Sequence, residues 1–237
     1  MLSLTRCGLA VCADNIPVDR MTELGIPVFN TPGANANAVK ELVICGLLMA
    51  SRGILEGYCH TKDVIIAEEN GVYDKVAARI EKDKKMFVGG EITGRTLGVV
   101  GLGNIGARVA EALGLGMKVV GYDPALSVDA ALRLPGDRME RVSNLEDLLK
   151  QCDYVSLHVP YIKGVTHHLI DAEALKIMKP NVAILNFARG ESVDGEALAA
   201  AYDRGEKTGK YISDFADDAL MGHPKHMVLP HLGEEEP

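Results

Sequence analysis

Apolar positions recur in two rhythms along this chain. Over residues 38–50, Val39, Leu42, Val43, Gly46, Leu47 and Ala50 fall at spacings of three and four, which predicts a helix with one apolar stripe. From residue 96 onward, short apolar runs alternate with longer amphipathic stretches. The runs 96–100, 118–122, 154–158, 182–187, 211–214 and 227–229 read as buried strands. Between them, residues 105–115, 145–151, 171–178 and 195–204 read as helices. Asn144 is placed to cap the second of these, with Asp147 to return the bond, Asp171 starts the third and Asp194 caps the fourth. Parallel strands require long crossovers, so this alternation predicts βαβ units and an α/β fold, a doubly wound parallel sheet.

The first part of the chain is less regular. Residues 1–6 read as the end of a strand. Residues 24–30, bounded by Gly25 and Pro32, read as a short buried strand. Residues 75–85 are charged and helix-compatible, a solvated face, and residues 87–95 are a glycine-rich loop.

Composition narrows the reading. The 237 residues suffice for one large domain, or for a domain plus a fragment of another. Aromatics make up 5% and Trp is absent, so the core must be aliphatic, which suits a sheet covered by helices. A net charge of -8 repels phosphate backbones and argues against nucleic acid as a partner. Five scattered cysteines without a C-x-x-C pair point to reduced thiols and to the cytoplasm. No apolar run approaches the ~18 residues of a membrane helix. The N-terminus has no signal-peptide pattern, so none is expected.

Gly101-Leu102-Gly103-Asn104-Ile105-Gly106 leaves one expected strand and opens one expected helix. In that setting Gly101 permits a tight turn, Gly103 lets backbone approach a pyrophosphate, and Gly106 lets helix and strand pack closely. The helix start then offers unpaired N–H groups to the phosphates. The next strand ends at Asp123, 17 residues beyond Gly106, where a carboxylate would meet ribose hydroxyls and repel the extra phosphate of NADP. The expected cofactor is NAD.

Two further segments sit at strand ends, where open parallel sheets bind ligands. Arg189, in Asn186-Phe187-Ala188-Arg189-Gly190, is suited to grip a carboxylate through two parallel hydrogen bonds and to polarise a carbonyl. His231, in Pro230-His231-Leu232-Gly233, carries the side-chain type best suited to exchange a hydroxyl proton. His223, His226 and His231 do not make a persuasive metal set, because Pro224 breaks the helix that would align two of them. Ser156 and Ser192 lack the setting of a nucleophile elbow.

Together, residues 25–48, 94–124, 158–170, 186–194 and 230–233 resemble the D-isomer-specific 2-hydroxyacid dehydrogenases, most of all their phosphoglycerate-dehydrogenase branch. The stretch Val28-Phe29-Asn30-Thr31-Pro32-Gly33-Ala34-Asn35-Ala36-Asn37-Ala38-Val39 and the Arg189 segment carry that choice. The resemblance implies a cleft between two domains: residues 1–30 as a remnant of a flavodoxin-like substrate domain and residues 31–237 as a Rossmann-type NAD-binding domain. It implies that Gly101, Gly103, Asn104, Ile105 and Gly106 cradle the pyrophosphate and that Asp123 holds the ribose. By the same likeness His158, Pro160, Thr166, Ala188 and Gly233 line the cofactor site and Asp214 lies near the nicotinamide amide. Arg189 would bind the substrate carboxylate and carbonyl, and His231 would be the acid/base.

Three departures from the family pattern stand out. Most of the N-terminal substrate segment is missing, and the chain stops soon after His231. The substrate loop at residues 6–17 is longer and lacks its second glycine. The position of the carboxylate that orients the catalytic His is Ala219, leaving the adjacent Asp218 as the expected substitute. The implied reaction is NAD-dependent oxidation of 3-phosphoglycerate to 3-phosphohydroxypyruvate, entering serine synthesis, with NAD binding but little or no oxidation expected of so short a chain. Reduction of glyoxylate, hydroxypyruvate or a D-lactate-like acid is the alternative within the family, and a non-catalytic NAD-binding module the alternative outside it. A homodimer through the cofactor domain is expected, partly from the likeness and partly from the apolar helix 38–50.

Overall fold

The computed structural model describes residues 16–29, 31, 33–111, 115–132, 134 and 139–233. Among them, one sheet contains β1 Thr96–Val100, β2 Lys118–Tyr122, β3 Met139–Arg141, β4 Tyr154–Leu157, β5 Ala183–Asn186, β6 Tyr211–Ser213 and β7 His226–Val228. The strand order is β3-β2-β1-β4-β5-β6-β7, and every neighbouring pair is parallel. The chain builds outward from β1 to β3, then returns to lay β4 on the other side of β1. That reversal leaves a crevice beyond the carboxyl ends of β1 and β4.

The helices in chain order are α1 Val18–Glu23, α2 Ala36–Ser51, α3 Ile54–Cys59, α4 Ile66–Glu68, α5 Tyr73–Asp83, α6 Asn104–Ala110, α7 Val128–Ala131, α8 Leu145–Gln151, α9 Ala172–Ile177 and α10 Gly195–Asp203. A wide π-type turn, His60–Ile65, joins α3 to α4. The sheet is covered on both faces, as a parallel sheet must be. Leu97, Val99, Leu185 and Phe187 face Val39, Val43 and Leu47 of α2 and Val109 of α6. On the other face, Val155, Leu157 and Ile184 meet Leu148 of α8, Leu175 of α9 and Leu198 of α10. The alternation of faces along β1 and β5 is the period of two that a strand imposes.

Each expected cap is present: the side chains of Asn144, Asp171 and Asp194 accept from the N–H groups of Asp147, Ala174 and Ala197 at 2.8, 2.8 and 2.9 Å. The return bond at the first of them comes from the Asn144 side-chain amide to Asp147 at 2.6 Å rather than from its backbone. The helix from Asn104 keeps α geometry only to Ala110; residues 112–114 of the expected span lie outside the described residues.

Residues 24–29 are not a buried strand. Gly25 is left-handed (φ 66°), and the Ile26 N–H closes onto the Met21 carbonyl at 2.9 Å while the Gly25 N–H donates to Thr22. This is a Schellman-type end to α1. The apolar residues that suggest a strand, Leu24, Ile26 and Phe29, are exposed. The strand expected at residues 1–6, and all but the end of the altered loop at 6–17, lie outside the described residues.

The stripe on α2 is spent inside the domain: Val39, Val43, Gly46 and Leu47 are buried against α6 and β5. Exposed apolar side chains gather instead on the following segment, including Ile54, Tyr58, Tyr73 and Val88. The charged helix α5 buries no residue, as its composition predicts. No helix among the described residues is long and apolar enough to cross a membrane.

Candidate active site

The loops leaving β1, β4, β5, β6 and β7 converge on one cleft of about 300 Å³. Gly103, Asn104 and Ile105 form one wall, His158 and Pro160 another, and Ala188, Arg189, Asp214 and His231 a third. Gly33, Asn35 and Val39 reach in from the start of α2. A larger depression of about 740 Å³ between α9 and α10 contains none of the candidate residues, so size does not mark the site.

The glycine loop is built tightly. Gly101 has φ 89°, its N–H donates to the Tyr122 carbonyl at 2.8 Å, and a Cβ on it would lie 2.5 Å from the His158 carbonyl oxygen. A Cβ on Gly106 would lie 1.8 Å from the Gly101 carbonyl oxygen, so α6 can approach β1 only with glycine there. Gly103 differs. It precedes α6 without any side-chain cap, and no atom lies within 4 Å of where its Cβ would be. The first turn of α6 therefore keeps its N–H groups uncapped by side chains, with open space over Gly103 for an anion. Asp123 ties this loop to β2, accepting from the N–H groups of Leu102 and Ala125 at 2.9 Å each. A carboxylate has about four acceptor sites, so capacity for ribose hydroxyls remains.

His158 contacts the Ser156 hydroxyl through Nε2 at 2.7 Å, while its Nδ1 is enclosed and has no hydrogen-bond partner. Burial pushes its pKa down to about 3, so the ring is neutral. Thr166 spends its hydroxyl within its own loop, accepting from the Ile162 N–H and donating to the Pro160 carbonyl, both at 2.6 Å. It shapes the loop that carries Pro160 and is not among the cleft-lining residues. Gly233 is buried beside the cleft rather than lining it: a Cβ on it would lie 2.8 Å from the side chain of Val39, which does line it.

Asn186, to which the sequence pattern gives no role, is fully buried and organises the Arg189 loop. Its amide donates to the Arg189 carbonyl at 2.9 Å and to the Tyr211 hydroxyl at 3.3 Å, and its oxygen accepts from the Ala188 N–H at 3.2 Å. The Arg189 guanidinium donates to the Ala188 carbonyl at 2.8 Å. His226, in turn, meets the Ser213 hydroxyl at 2.9 Å and stacks on Tyr211, while His223 stacks on Tyr202.

The glycine loop, the enclosed histidine and the arginine at the β5 end are accompanied by a match to a family model over residues 63–233, described as "D-isomer specific 2-hydroxyacid dehydrogenase, NAD binding domain". The chain belongs to this family. The D-3-phosphoglycerate dehydrogenase of Methanocaldococcus jannaschii is 35% identical over 220 residues, covering 92% of this chain and 38% of that protein. The glyoxylate reductase of Thermococcus litoralis is 34% identical over 230 residues, covering 94% and 65%. Among solved structures, the TT0316 protein from Thermus thermophilus superposes with a TM-score of 0.73 at 32% identity, covering 94% of this chain and 67% of that one. The chain thus spans between about two fifths and two thirds of the length of these relatives. The cofactor of the domain is NAD. The open cradle at Gly103 and the enclosed, unpartnered Nδ1 of His158 both suit such a polar ligand.

The expected orienting carboxylate lies outside this cleft. Asp218 sits in a 3-10 turn, Asp218–Leu220, and lines a separate depression with Glu191, Glu196 and Asp217. The carboxylate at His231 is Asp214, with Oδ2 3.3 Å from Nδ1. Burial raises the Asp214 pKa, and the nearby His231 and Arg189 oppose that rise.

Proposed function

We propose that this chain is the cofactor-bearing part of an NAD-dependent 2-hydroxyacid dehydrogenase, with Arg189 and His231 as its reacting side chains. The observation that carries the reading is the convergence of Arg189, Asp214 and His231 on the same cleft as the glycine loop. NAD, when bound, supplies the hydride acceptor. Arg189 holds the substrate carboxylate and stabilises negative charge on the hydroxyl oxygen of the carbon being oxidised, since its fork matches a carboxylate in a way a point charge does not. His231 takes the hydroxyl proton as the carbonyl forms. His158, neutral and enclosed, adds no charge near the cofactor.

We assign 3-phosphoglycerate as the substrate on the strength of the residue pattern at 28–39 and 186–190. The similarity to a glyoxylate reductase at nearly equal identity supports a second reading, reduction of a small 2-oxo acid at the same site. The test is calorimetric titration with NAD and NADP, followed by turnover on a panel containing 3-phosphoglycerate, glycerate, glyoxylate, hydroxypyruvate and D-lactate. NAD binding with no turnover on any of them sinks the catalytic reading and leaves a binding module.

The same reading divides the chain near residue 30. In support, α1 buries none of its residues, whereas the core begins with Ala36 and Val39 of α2. A second copy of the chain is the proposed partner. The exposed Ile54, Tyr58, Tyr73 and Val88 support a contact on the segment after α2 rather than on α2 itself. The free thiols Cys45, Cys59 and Cys152 support a reducing compartment, the cytoplasm.

A further inference from the structure

A histidine that accepts a hydroxyl proton must present an unprotonated nitrogen to the substrate and keep its one proton on the other. A carboxylate accepting from Nδ1–H selects that tautomer and orients the ring. Ala219 cannot do this, and Asp218 is turned into the depression shared with Asp217 and Glu191.

Asp214 is in a different position. It directly follows β6, a strand buried along its whole length. His231 lies three residues beyond β7, and Ser213 of β6 is in register with Val228 of β7. The Leu229 N–H continues the ladder onto the Ser213 carbonyl at 2.8 Å. Two adjacent parallel strands therefore deliver the carboxylate and the imidazole to one edge, 3.3 Å apart. The Asp214 side chain is 4% exposed and that of His231 is 61% exposed. A carboxylate so buried is costly unless a cation or donor accompanies it. The groups that face it are His231 and Arg189, together with its own backbone N–H.

We infer that Asp214 is the positioning carboxylate of His231, holding Nδ1–H and leaving Nε2 available to the substrate hydroxyl. The separation of 3.3 Å is long for a charge-assisted hydrogen bond, as is common before a catalytic site closes on its substrate. The inference rests on the proposed dehydrogenase reading, yet it concerns a contact that exists without substrate. It differs from the expectation that a carboxylate near residue 219 carries this task. Asp214 would then serve both the histidine and the cofactor side of the cleft.

The test is NMR on the full 237-residue chain without substrate. Selective 13C labelling follows the Asp214 carboxyl through a pH titration. In the parent chain its midpoint is expected above the ordinary carboxylate range, and in His231→Gln it is expected to move further up, because a cation that favours the charged form is gone. A midpoint that does not respond to His231→Gln overturns the inference. His231 is exposed, so this arm does not depend on whether an Asp214 variant folds. In a second arm, 15N spectra of the imidazole are expected to show one tautomer, protonated at Nδ1, and to lose that preference in Asp214→Ala but not in Asp218→Asn. A His231 spectrum that answers to Asp218→Asn and ignores Asp214→Ala overturns the inference as well. Absence of turnover would defeat the dehydrogenase reading while leaving both signals in place, so the two failures are distinguishable.

Discussion

Gly101 lies directly beneath the carbonyl of His158, with 2.5 Å between that oxygen and the point where a Cβ would stand. The contact joins the loop after β1 to the loop after β4 across the reversal point of the sheet. Gly101→Ala must relieve both that clash and a φ of 89°. The left-handed backbone alone costs roughly 1–2 kcal/mol for a residue with a Cβ. The expected outcome is a lower melting temperature and at least a tenfold loss of NAD affinity by calorimetry. Unchanged NAD affinity would show that the loop tolerates being pushed off β4.

Asp123 is expected to set a preference between cofactors. A 2′-phosphate beside it would place two anions together without a pairing cation. The chain is expected to bind NAD more tightly than NADP, and Asp123→Ser to weaken NAD while narrowing the gap. Equal affinities of the parent chain for the two cofactors, measured at one ionic strength, would contradict this.

His158 gives stability a pH dependence whose sign can be worked out. Its folded pKa of about 3 lies below the ordinary 6.5. Between those values the unfolded chain binds a proton that the folded chain refuses, so stability falls as pH drops through that window. The slope from this group is at most about 1.4 kcal/mol per pH unit. Asp214 acts in the opposite sense, since a raised carboxyl pKa makes the folded state the better proton binder above pH 3.8. Urea unfolding at pH 7 and pH 5 is expected to show a loss that shrinks in His158→Asn. An identical slope in the variant would assign the loss to other groups.

Arg189→Lys keeps the charge and removes the planar fork. On the proposed substrates, kcat/KM is expected to fall at least tenfold, about 1.4 kcal/mol of transition-state stabilisation. NAD affinity is expected to stay within about twofold. A matching fall in NAD affinity would mean that Arg189 serves the cofactor loop instead.

If a second copy covers the segment after α2, then Tyr58→Asp combined with Val88→Asp should lower the mass seen by light scattering from two chains to one. A parent chain that is already monomeric at high concentration removes the dimer from the proposal.

Much of the sheet was legible because its strands are buried on both faces and its helices begin with Asn or Asp caps. Runs such as Thr96–Val100 and caps such as Asp194 carry their structure locally. Residues 24–29 misled because apolar content without a partner strand does not make a strand, and Gly25 was in fact ending a helix. The strand β3 carries no local pattern that marks it, because Met139–Arg141 is three residues at a sheet edge with one buried side chain. Near the candidate site, the placing of Gly101 and Gly106 in the turn from β1 into α6, and of Arg189 and His231 beyond strand ends, is legible from motif and context. The role of Asn186 in pinning the Arg189 loop and the meeting of Asp214 with His231 are not. Both depend on register between strands distant in sequence, which a local pattern does not encode.

The register of Ser213 with Val228 works as a ruler that does not count the residues between its marks. The stretch linking β6 to β7 crosses exposed positions such as Asp218, Ala219, Met221 and Gly222, and none of these sets the spacing of Asp214 from His231. Leu220 and His223 of that connection are anchored in the domain, but its exposed positions are free to change in length or charge while the two strand ends stay aligned. Inserting two glycines after Gly222 should leave the Asp214–His231 contact intact, whereas deleting one residue between Val228 and His231 should break it. Drift in the connection and constancy at the strand ends are then compatible, and a carboxylate could be lost from position 219 without disarming the histidine.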